Sequence, residues 1–147
     1  MPPFIAQESP DTCVIACWRM VLASQGIERT EDELVQDARM EPGGMNPEEL
    51  VQLARLFDFE AVERQLDRLE LFTLIEQERF PIVFLYRRPF DRVDEAHAVI
   101  PVGLSSQYVT FLDPLRGKRR VSIRKFEEAR RLVGRWVVAW ASRGERF

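Results

Sequence analysis

The hydrophobic rhythm of this chain changes part-way along, and that change limits the fold more than any other feature. In the first third, helix-start signals precede apolar residues at helical spacing. Leu50, Leu53, Ala54 and Phe57 are the clearest set. From Pro81 onward the apolar residues come instead in short β-rich runs separated by turn residues. Helices first, then a series of strands with one late helix, predicts an α+β fold with an antiparallel sheet.

The boundaries follow from local chemistry. A first helix is expected from about Thr12 to Gln25, ended by Gly26. Thr30-Glu31-Asp32-Glu33 reads as a capping box opening a short helix to about Met40. Asn46-Pro47-Glu48-Glu49 repeats the signal, with proline at the first helical position of a helix from Pro47 to Phe57. Phe59 to Gln65 reads as a short strand and Leu69 to Gln77 as a fourth helix. Pro81 to Tyr86 is expected as a central strand, and Arg87 to Glu95 as a charged loop. Strands then follow at His97–Leu104, Tyr108–Leu112 and Arg119–Ser122, with Ser105-Ser106 as a hairpin turn. Ser122 caps a helix from Ile123 to Leu132, and Trp136 to Trp140 forms a last strand.

A length of 147 residues fits one domain covering positions 1–147. Two cysteines make no disulfide framework. The net charge of −3 has both signs scattered along it, so the arginine-rich segments from Arg116 to Arg120 and at Arg130-Arg131 read as solvated faces, not as a nucleic-acid surface. The sequence shows neither a signal-peptide pattern nor an apolar run of membrane-spanning length, so a cytoplasmic location is expected.

Chemistry concentrates in Gln7 to Met20, a polar loop that turns into an apolar helix. Asp11 or Thr12 is placed to cap that helix. Cys13 then falls in its first turn, where free N–H groups and the helix dipole favour a thiolate, the nucleophilic form of cysteine. A base must stand near it, and the chain has a single histidine, His97. Each residue also has a plain structural explanation: Cys13 as a small buried residue, His97 as a satisfied sheet-edge histidine, Asp113-Pro114 as a turn starter. Trp18, Trp136 and Trp140 read as core or rim. Cys17 lies one helical turn beyond Cys13, but only His97 remains to complete a zinc set, so no metal and no cofactor is expected.

The order and spacing of these residues resemble the bacteriocin-processing group of papain-like cysteine peptidases, often labelled C39. Gln7 stands six residues ahead of Cys13 at a helix start, His97-Ala98-Val99-Ile100 opens a hydrophobic strand, and Asp113-Pro114 follows the next strand. The resemblance covers most of the chain. It implies a papain-like fold, with a helical half packed on a C-terminal antiparallel sheet and Cys13 and His97 meeting across the seam. It implies peptidase activity on a peptide or leader-type substrate, with Cys13 as nucleophile, His97 as acid–base, Asp113 orienting the ring and Gln7 donating to the oxyanion. It also implies cleavage after small residues. The family usually has glycine after the nucleophile; this chain has Val14. With no membrane span or phosphate-binding loop in the sequence, fusion to an exporter is not expected, and any transporter would be a separate partner. Two other functions use the same frame: a peptide-binding module without turnover, and a cysteine acyltransferase or isopeptidase.

Overall fold

The computed structural model describes residues 1–142. Six strands form one antiparallel sheet in the order β1-β6-β2-β3-β4-β5. These are β1 (Glu60–Gln65), β2 (Ile82–Tyr86), β3 (Ala96–Leu104), β4 (Tyr108–Asp113), β5 (Gly117–Ser122) and β6 (Trp136–Ala141). The helices are α1 (Cys13–Ser24), α2 (Glu31–Ala38), α3 (Pro47–Arg55), α4 (Arg68–Glu76), α5 (Arg88–Asp91) and α6 (Ile123–Arg131). The expected Pro81–Tyr86 strand is central, third in the order.

Alternation along the strands sends side chains to two separate cores. Ile82, Ala98, Ile100, Leu112 and Val138 join residues of α1, α2 and α3 in one cluster. Val83, Val99, Phe111, Val121 and Val137 join residues of α4 and α6 in the other. The sheet is therefore covered on both faces, with the N-terminal helices on one side and the two later helices on the other. This is what a period-two apolar pattern in the central strands requires, since each face needs its own cover.

The helix α1 anchors the first core. Val14 to Trp18 and Met20 to Leu22 are all buried, so this helix is apolar nearly all round. Trp18 is fully buried and meets Phe59 edge-on at 5.1 Å between ring centroids. Val14 is buried in the same core, so its branched side chain is spent on packing. Gly26, at φ 78°, adopts the left-handed backbone that stops the helix. Trp140 is buried and Trp136 lies at the rim.

Some boundaries shift by two residues, with α2 ending at Ala38, α3 at Arg55 and β5 beginning at Gly117, and two further differences have identifiable causes. The charged segment 87–95 is not a plain loop: it holds the one-turn helix α5. The helix α4 begins earlier than expected, because Asp67 and Glu70 form a full capping box ahead of Leu69.

Candidate active site

Three elements bring Cys13, His97 and Asp113 together. Cys13 is the first residue of α1, His97 the second of β3, and Asp113 the last of β4. Strands β3 and β4 pair antiparallel with Ile100 opposite Leu112, so Asp113 sits two residues along from His97 on the neighbouring strand. The register shifts between Pro101 and Gly103, where proline can offer no ladder donor.

His97 Nε2 lies 2.6 Å from Asp113 Oδ1, and both side chains are almost fully buried. That contact leaves Nδ1 for the Cys13 side chain, which lies near enough to bear on the ring's protonation. Burial works against a charged imidazole. The hydrogen bonds to Asp113 and Cys13, and the negative charges of both, outweigh it and push His97 up to about 9. Burial likewise opposes ionisation of Asp113. The hydrogen bonds from His97, the Leu115 N–H and Arg119 overcome it and hold the carboxyl below its ordinary range. Cys17, one turn deeper, is completely buried. Burial pushes its thiol well up, and the charges of Cys13 and Asp113 add to the shift. Of the two thiols, only Cys13 reaches the surface.

Gln7 lies in the loop ahead of α1. Its backbone N–H donates to the Pro114 carbonyl at 2.9 Å, tying the N-terminal loop to the residue after Asp113. Its Nε2 donates to the Ser9 carbonyl at 2.8 Å, which uses one of the two amide protons. Exchanging the amide oxygen and nitrogen would set two carbonyl oxygens against each other, so the orientation is fixed by Ser9. Gln7 Oε1 is buried without a partner.

The expected side-chain cap at the start of α1 is absent. Thr12 occupies the capping position, but its hydroxyl accepts from the Ser9 N–H and donates to the Ser9 carbonyl. Asp11 turns away and accepts from the Gly43 N–H at 3.0 Å. Loop closure takes both side chains, and the first N–H groups of α1 receive no side-chain cap. The loop is pinned a third way: buried Glu31 accepts from the Glu8 N–H at 2.9 Å.

Sequence reading missed Arg119 and Asp91. Arg119 Nη1 reaches Asp113 Oδ2 at 3.2 Å, and its Nη2 pairs with Asp91 Oδ1 at 2.8 Å. Beside His97, an apolar cavity of about 230 Å³ is lined by Met45, Phe84, Val133 and Trp136 among others. Among the described residues no cluster of histidine, cysteine, aspartate and glutamate could hold a metal ion.

The model of the peptidase C39 family matches residues 2–129. The chain belongs to the peptidase C39 family. It is thus a cysteine peptidase by family. Solved structures agree on the fold. A double-glycine-motif protease from an AMS/PCAT transporter, solved with its leader peptide, has a TM-score of 0.74 at 21% identity, over 95% of this chain and 91% of that one. A putative C39-like peptidase from Bacillus anthracis has a TM-score of 0.77 at 18% identity, over 97% and 96%. The peptidase domain of Streptococcus ComA, a bifunctional ABC transporter, has a TM-score of 0.77 at 17% identity, over 97% and 100%. No curated protein matches the sequence. No described helix of this C39 peptidase is long and apolar enough to cross a membrane.

Proposed function

We propose that this C39 peptidase hydrolyses a peptide bond with Cys13 as nucleophile, His97 as acid and base, Asp113 as the group that orients His97, and Gln7 with the Cys13 N–H as oxyanion donors. The observation that carries the reading is a His97 ring held by Asp113 at 2.6 Å on one nitrogen, with Cys13 at the start of α1 near enough to raise the ring's affinity for a proton. The Cys13 sulfur attacks the carbonyl carbon, and the carbonyl electrons move to oxygen. His97 holds the proton taken from the Cys13 thiol; as the tetrahedral intermediate collapses and the C–N bond breaks, it gives that proton to the departing amine. A thioester remains. Water, losing a proton to His97, attacks it, and the acid leaves as Cys13 is regenerated. The uncapped N–H groups at the start of α1 and the second Gln7 Nε2 proton are the donors available to the negative oxygen.

The substrate is a peptide in extended form, cut after small residues of the double-glycine type. The similarity to a protease solved with a leader peptide supports this choice. The chain acts as one domain, in the cytoplasm, in association with a transporter; nucleic acid plays no part.

A synthetic leader peptide with a Gly-Gly pair ahead of a short cargo tests the reading by mass spectrometry of the products. Free acid and free amine are expected from the parent chain. Cys13→Ala is expected to lose turnover by a factor on the order of 10⁴ or more while keeping its melting temperature. Cleavage that survives Cys13→Ala would overturn the assignment, and a new amide in place of free acid would mark an acyltransferase.

A further inference from the structure

We infer that Arg119, clamped by Asp91, is a positioning residue that holds the Asp113 carboxylate turned toward His97. The inference rests on the catalytic reading of Asp113 given above. A carboxylate has two oxygens and can rotate about its last bond. In Asp113, Oδ1 takes His97 Nε2 and the Leu115 N–H, at 2.6 and 2.9 Å. Oδ2 is occupied by Arg119 Nη1 at 3.2 Å. With both oxygens held, rotation would break several bonds at once.

Arg119 is itself held from the other side. Its Nη1 and Nη2 fork onto the two oxygens of Asp91, at 3.1 and 2.8 Å. Its guanidinium lies over the rings of Phe90 and Phe111, at 5.2 and 5.7 Å from their centroids. The Asp91 side chain is buried and also accepts from Arg87 Nε at 3.2 Å, while Arg87 reaches Glu95 at 3.0 Å. Signs therefore alternate from Glu95 through Arg87, Asp91 and Arg119 to Asp113 and the imidazole. A single turn of helix has no stability alone. This ion-pair chain accounts for α5 and gives it a task, which is to deliver Asp91. A planar fork can grip two carboxylates at once; an ammonium cannot do so with fixed geometry.

The charged groups facing His97 are Cys13 from α1 and Asp113 from β4. Arg119 of β5 and Asp91 of α5 stand behind Asp113, and the thiol of Cys17 lies near it. The facing residue on β2 is Leu85, which carries no charge.

Because His97 is the sole histidine, its ring resonances in the full chain need no assignment. Its titration can be followed by NMR without any substrate. In Arg119→Lys, which keeps the positive charge and loses the fork, the His97 midpoint is expected to fall from about 9 as the ring loses a fixed carboxylate; in Arg119→Gln the loss of a cation, which alone raises the midpoint, offsets part of that fall. On the leader peptide, kcat of Arg119→Gln is expected to drop on the order of 10- to 100-fold with KM near the parent value. Arg119→Lys should restore less than half of that loss. Asp91→Asn should move the midpoint in the same direction by a smaller amount, and it carries the test should Arg119→Lys not fold. A folded Arg119→Lys with an unmoved midpoint, or one whose melting temperature falls with no change at His97, overturns the inference. Turnover that persists in Cys13→Ala instead overturns the catalytic reading, and leaves the His97 midpoint measurement to stand on its own.

Discussion

The helices α2, α3 and α4 begin in the same way, and α1 begins differently. At the first three, Thr30, Asn46 and Asp67 each accept from the backbone three residues on, and Glu33, Glu49 and Glu70 each bond back. Their first-turn N–H groups are answered locally, and acidic residues complement the dipole. At α1, Asp11 and Thr12 are diverted into the loop, no acid stands in the first turn, and Cys13 is the first helical residue. On the proposed mechanism, the difference teaches that capping chemistry is withheld where a developing negative charge would be received. A carboxylate cap there would compete with that charge for the same donors.

The contrast can be broken from either end. The largest effect is expected at Gln7, proposed above as the side-chain oxyanion donor. Gln7→Ala should lower kcat on the leader peptide by about 10²–10³-fold, with little change in KM. A variant within a factor of about two of the parent would remove Gln7 from the oxyanion site. A smaller effect concerns pH. The folded state raises His97 from 6.5 to about 9, so the bound proton stabilises the fold. That contribution, about 3 kcal/mol by linkage, is fully present below about 6.5 and is lost as pH rises through about 9. The kcat/KM profile should fall about tenfold per unit above about 9, whereas the melting temperature should decline between about 6.5 and about 9 and level off beyond. An alkaline limb near 6.5 would show that Asp113 and Cys13 do not govern the ring. The smallest effect is expected at an ordinary cap: Asp67→Ala should cost about 1 kcal/mol in denaturant unfolding and leave turnover as it was.

Much of this was readable from residues alone, for identifiable reasons. The boxes at Thr30 and Asn46 are local devices, written within four residues, and both helices begin where those signals stand. The box at Asp67 follows the same rule, but the first apolar residue after it, Leu69, drew the expected start too far along. The strands carrying His97 and Asp113 were legible from composition, and the hairpin between them brings the two side chains to hydrogen-bond distance. Arg119 was not legible. It lies between Lys118 and Arg120 in a run that looks like a solvated face, and only the pairing of β5 with β4 turns it toward Asp113. The helix α5 escaped for a similar reason: partners distant in sequence hold it, not its own propensity. The missing cap at α1 was misread because Asp11 and Thr12 have suitable oxygens, and nothing in the sequence says that Ser9 and Gly43 will claim them.

The depth of Cys17 has a practical corollary. With that sulfur sealed in the interior and protonated, the folded molecule offers electrophiles a single address. An irreversible thiol reagent should therefore saturate at one equivalent per chain, so the fraction of competent molecules in any preparation can be counted by stoichiometry before a substrate is known.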